Sequence, residues 1–150
     1  MRDRRGFTLL EITLVVALSA TLLGVAWAAM GRARASYAVR ASRTAFAGLA
    51  ARARATAVER GHRIRLELDA DGDSAWVVDG TEVIEVLRFG VTADVEVEPT
   101  LVQCFGPRGV ATPPCGSVPD PVVVRFTRDG RWAEGMLLPL GQFLPGPQGS

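Results

Sequence analysis

The chain has 150 residues and a mass of 16.0 kDa, with 48% hydrophobic and 22% charged side chains, a composition that excludes an intrinsically disordered chain. Its formal net charge of +1 excludes a protein that coats nucleic acid through bulk positive charge, and equally an acidic tail protein. The total conceals a split. Residues 1–65 hold twelve Arg against Asp3, Glu11 and Glu59, a net of +9, and the remainder holds five Arg against thirteen acids, a net of −8. Every base is Arg and none is Lys.

Residues 12–31 form a run of twenty uncharged residues flanked by Glu11 and Arg32. As a helix that run is about 30 Å long, the thickness of a bilayer's hydrocarbon core. Arg2, Arg4 and Arg5 precede it, which favours a cytoplasmic amino terminus and an exported remainder. Arg32, Arg34, Arg40 and Arg43 on the far side pull the other way. Two other readings compete. Ala26-Trp27-Ala28 offers a signal-peptidase site, although the run is long for a signal sequence and Glu11 stands near its start. A buried core helix this apolar all round would need a larger soluble partner than the rest of the chain can build.

Glu11 is the informative residue. A carboxylate at the edge of a lipid-buried helix is costly and normally has a partner, yet residues 7–31 contain no Arg, Lys or His. The segment Gly6-Phe7-Thr8-Leu9-Leu10-Glu11, after an Arg-rich leader and before an apolar run, resembles the processing signal of type IV pilins and type II secretion pseudopilins. The resemblance implies that a membrane prepilin peptidase cuts between Gly6 and Phe7 and methylates the new amino group of Phe7. It also implies a partner for Glu11, the α-amino group of Phe7 on a neighbouring subunit, and such pairing would offset the desolvation of a buried charge.

Beyond Gly31 the pattern turns amphipathic, with Ala38, Ala45, Phe46, Leu49, Ala53 and Ala57 at three-to-four-residue spacing. One helix is expected to continue to Glu59, with Gly61 as its stop. The period then switches to two. Ile64, Leu66 and Leu68 share one face of a strand, and further strands are expected over residues 75–79, 82–89, 95–97, 101–105, 122–127 and 135–140, making one antiparallel sheet. All nine Pro lie at or after Pro99, and Pro145-Gly146-Pro147 reads as a flexible tail. The expected organisation is a leader (1–6), a membrane and assembly half of the helix (7–31), a periplasmic half (32–60), a β-sheet domain (61–144) and a tail (145–150), an α+β fold.

Two further stretches carry family resemblance. Residues 51–61 followed by Ile64-Arg65-Leu66 are similar to the helix-to-strand junction of H-type minor pseudopilins. Residues 124–131 with Met136-Leu137-Leu138 are similar to the late hairpin of that GspH/FimT family, where Asp129-Gly130 suits a tight turn.

Cys104 and Cys115 lie in a Gly/Pro-rich segment and, in an exported domain, are expected to form a disulfide. Asp69, Asp71 and Asp73 imitate a calcium loop, but Ser74 and Gly80 stand where that loop needs Gly and Glu, so a solvated turn is expected and no metal. With one His and no nucleophile or phosphate-loop motif, no catalytic residue and no cofactor are assigned. The resemblance implies a minor pseudopilin or minor pilin in the inner membrane, with its carboxy-terminal domain periplasmic. Its partners would be prepilin peptidase, other pilins and lipid. A DNA-receptor minor pilin is an alternative, against which stand the absence of bases in residues 137–150 and the net −8 of residues 66–150. A single-span protein with a periplasmic binding domain is another.

Overall fold

The computed structural model describes residues 8–69, 71, 73–90, 92–97, 101–111 and 121–149. Its helix, α1 (Leu9–Arg60), has 52 residues. Thr8 caps it, the hydroxyl oxygen accepting from the Glu11 N–H at 3.2 Å, and Thr-x-x-Glu is the sequence pattern of a capping box. At the other end Gly61 takes φ +69° and donates its N–H to the Ala57 carbonyl at 3.1 Å. A left-handed glycine of this kind is a common helix stop, and the helix ends one residue beyond the expected Glu59. The chain divides into two compact units, residues 1–34 and 35–150.

In the first unit every described side chain is exposed, and the helix there is apolar and long enough to cross a membrane. Two of its hydroxyls are satisfied internally, Thr13 donating to the Leu10 carbonyl at 2.9 Å and Thr21 to the Leu18 carbonyl at 2.8 Å. Lipid offers no water to such groups, so this local pairing is what a spanning helix requires.

The second unit packs the helical residues Val39, Phe46, Leu49, Ala50, Ala53 and Ala57, all buried, against strands. The strands are β1 (Ile64–Asp69), β2 (Ser74–Asp79), β3 (Glu82–Arg88), β4 (Asp94–Val97), β5 (Leu101–Phe105), β6 (Val122–Arg128), β7 (Arg131–Leu137) and β8 (Phe143–Gly149). They form two four-stranded antiparallel sheets, ordered β3-β2-β1-β5 and β4-β6-β7-β8, where the sequence suggests one sheet. Alternation fixes the buried face: Ile64, Leu66 and Leu68 of β1 and Val122, Val124 and Phe126 of β6 point inward. Four phenylalanines join the layers. The Phe46 ring lies 6.4 Å from Phe89, 6.2 Å from Phe126 and 5.2 Å from Phe143 between centroids.

The carboxy-terminal elements correct the sequence reading. The expected strand over 135–140 begins earlier, at Arg131, because Asp129 (φ 49°) and Gly130 (φ 75°) make a tight hairpin turn directly after β6. Residues 145–149 of the expected flexible tail instead belong to β8, paired with β7. Proline is tolerated there because β8 is an edge strand, where a missing N–H need leave no ladder bond unmade. Phe143 occupies the space above Gly135, which any side chain on Gly135 would fill. Arg43 donates to the carbonyls of Gly146 at 3.0 Å and Glu134 at 3.4 Å, tying the strand to α1.

Candidate functional site

Thr8 and Glu11 open α1 among exposed apolar side chains, with Leu9 82% and Leu10 76% accessible. Glu11 stands in the first helical turn, where the positive end of the helix dipole favours a carboxylate. Among the described residues no cation forms an ion pair with it. Gly6 and Phe7, the expected processing and methylation positions, lie outside the described residues, so the expected Phe7–Glu11 pair is neither brought together nor separated here. What the sequence reading overlooked is local: Thr8 and Glu11 also form a helix cap, and the Thr-x-x-Glu spacing was visible.

Cys104 is fully buried on β5. Cross-strand register sets it opposite Arg65 and so on the face away from Leu66. No free cysteine occurs among the described residues, and Cys115 lies outside them. The acidic turn after β1 is more than solvated. Asp73 adopts φ 43°, accepts the Phe89 N–H on its backbone carbonyl at 2.7 Å and accepts the Val95 N–H on its carboxylate at 2.9 Å. It thereby fastens the chain between β3 and β4. Gln103 is fully buried with its side-chain oxygen unpartnered, a feature with no sequence signal.

His62 is part of a charged cluster at the carboxy-terminal end of α1. Its Nε2 lies 2.7 Å from Asp79 Oδ1 and its Nδ1 3.1 Å from the Arg60 carbonyl oxygen. Both neighbours accept hydrogen bonds, so the doubly protonated ring is the form that satisfies both contacts at once and the form this arrangement favours. The hydrogen bond to Asp79, then that to the Arg60 carbonyl, raises the His62 pKa. The hydrogen bonds from His62 and then Arg60 lower that of Asp79.

The signs fix a pH window. A raised histidine pKa contributes stability fully below about pH 6.5 and loses it as pH rises through the folded value. A lowered carboxylate pKa contributes above about pH 4 and loses it as pH falls. The Tm difference between the parent and His62→Gln is therefore expected to be largest near pH 5.5 and to shrink toward pH 8.5. An NMR titration midpoint for His62 at or below about 6.5 would refute this.

Residues 1–27 match the prokaryotic N-terminal methylation motif. Two crystal structures of the type IV minor pilin FimU of Pseudomonas aeruginosa, strain PAO1, resemble the chain, both at 15% sequence identity. The first, in space group P21, has a TM-score of 0.54 and covers 73% of this chain and 88% of its own. The second, in space group P65, has a TM-score of 0.53 and covers 72% and 92%. No curated protein matches the chain in sequence. At this identity the likeness establishes the fold: a long amino-terminal helix with antiparallel sheets, the α+β fold of a type IV minor pilin.

Proposed function

We propose that the chain is a minor subunit of a pilus-like filament, either a type IV pilus or the pseudopilus of a type II secretion system. The observation that carries this reading is the conjunction of a methylation motif at residues 1–27 with an exposed apolar helix able to cross a membrane. Prepilin peptidase cuts after Gly6 and methylates Phe7. The chain is first held in the inner membrane by its helix, with residues 32–150 in the periplasm. Assembly then exchanges lipid around residues 12–30 for the helices of other subunits, and Glu11 pairs with the methylated amino group of a neighbouring Phe7. The role is mechanical rather than catalytic.

Cys104 and Cys115 close a short loop in the exported domain, a link worth about 2–3 kcal/mol for a loop of this size. The filament reading is preferred to a DNA receptor because residues 66–150 carry a net charge of −8, which repels a polyanionic backbone that such receptors must neutralise over many phosphates.

One measurement tests processing, methylation and the bridge together. The intact mass of the protein purified from membranes is expected to correspond to a chain beginning at Phe7, heavier than its sequence by one CH2 for the methyl that replaces an amino hydrogen and lighter by the two hydrogens lost to the disulfide. A Gly6→Val variant is expected to keep the leader and stay out of filaments. Wild-type protein recovered with residues 1–6 attached would leave only a single-span membrane protein, and two thiols that alkylate without reductant would remove the disulfide.

A further inference from the structure

Arginines of the second unit commonly meet carboxylates: Arg52 pairs with Glu85, Arg60 with Asp79 and Arg125 with Glu134. One recess departs from this. Arg40 of α1 and Arg131 at the start of β7 line a space of about 190 Å3 together with Ser36, Trp132 and Gln148, and among the described residues no Asp or Glu lines it. Neither arginine forms an ion pair among the described residues. Arg43, one turn along α1, directs its guanidinium at the carbonyls of Glu134 and Gly146 and makes no ion pair among the described residues. The wall is shaped as well: a Cβ on Gly149 would lie 2.8 Å from the Trp132 ring, so only glycine lets the indole sit there.

Two arginines lining one small space, with no carboxylate among its described lining residues, favour an anion there. Arginine forks match the oxygens of phosphate in pairs, and Ser36 and Gln148 can add neutral donors. We infer that this recess is a binding site for a phosphate-class oxyanion, filled in the membrane by a phospholipid headgroup. Ser36 follows the end of the apolar run at Gly31 by five residues, a stretch that reaches at most about 17 Å. A tether of that length is short enough for Ser36 to meet the headgroup layer, which extends roughly 5–8 Å beyond the hydrocarbon. Arg32 and Arg34 lie between them and attract the same anionic surface. The headgroup as source rests on the membrane anchoring proposed above, whereas phosphate binding itself does not.

Calorimetric titration of inorganic phosphate into the full chain in non-ionic detergent is expected to show saturable binding. In an Arg40→Gln/Arg131→Gln double variant it should weaken at least about tenfold, as loss of charge-assisted hydrogen bonds requires. Arg88→Gln, an exposed base on β3 outside the recess, should leave it unchanged. Native mass spectrometry of protein extracted from mixed phosphatidylglycerol and phosphatidylcholine bilayers then identifies the source. Phosphatidylglycerol retained by the parent and lost by the double variant supports the headgroup; phosphate binding with no retained lipid overturns it. No saturable phosphate binding overturns the site, and so does tighter binding of acetate, which would assign the recess to a protein carboxylate. If the double variant loses cooperative melting, Arg131→Gln alone is read, with about threefold weaker binding expected. Failed anchoring shows separately, as protein absent from the membrane fraction.

Discussion

Glu11→Gln is expected to reduce incorporation into filaments at least about tenfold while membrane insertion and leader removal continue. Breaking a buried ion pair by removing one partner costs about 3–5 kcal/mol, and each 1.4 kcal/mol is a factor of ten in an equilibrium. The glutamine variant is chosen because Glu11 has two roles. It stands at the third helical position after the Thr8 cap, and Gln serves in a capping box as Glu does. The helix start is therefore preserved and only the charge is lost. Glu11→Ala removes both and should be no less severe. Quantitative immunoblotting of sheared filaments against the membrane fraction measures the ratio. Parental levels of Glu11→Gln in the filament would show that the residue is only a cap and would end the charge-pair reading.

The ease with which Glu11 is found, and the difficulty with which β8 is found, have the same physical origin. Glu11 breaks a rule that holds residue by residue, since a charge bordering a long apolar run demands a partner. The helix and β1 are legible for a similar reason: their apolar residues recur at the period of the element itself, Ala53 and Ala57 four apart, Ile64, Leu66 and Leu68 two apart. β8 has no such period. Its sequence FLPGPQG reads as a breaker, and its order comes from distant residues: Arg43, which binds the Gly146 carbonyl, and Gly135, whose missing side chain admits Phe143. The separation into two sheets is equally nonlocal, because strand partners are a property of the pairing and not of any one strand. His62 reads as an ordinary surface residue until Asp79, seventeen positions away, is placed beside it.

Phe46→Ala is expected to be the most destabilising truncation in the second unit, at about 3–5 kcal/mol. Phe46 is wholly buried and is the point where helix and strands meet. Its ring faces Phe89, which follows β3, Phe126 of β6 and Phe143 of β8. Losing it opens a cavity among groups held by separate elements, which cannot all collapse onto the gap at once. A loss of that size is a large part of the 5–15 kcal/mol that stabilises a typical domain, and should lower Tm on the order of 10–20 °C. Phe46→Leu retains most of the volume and should cost less than about 1.5 kcal/mol. Phe143 is only partly buried and sits on an edge strand, so Phe143→Ala should cost less than Phe46→Ala while raising hydrogen exchange across β8 selectively. Thermal melting followed by near-ultraviolet circular dichroism, on full-length protein in detergent, ranks the three. If Phe143→Ala melts at or below the temperature of Phe46→Ala, the unit is held together from the β8 edge inward, and the helix contributes less to it than its contact with three rings implies.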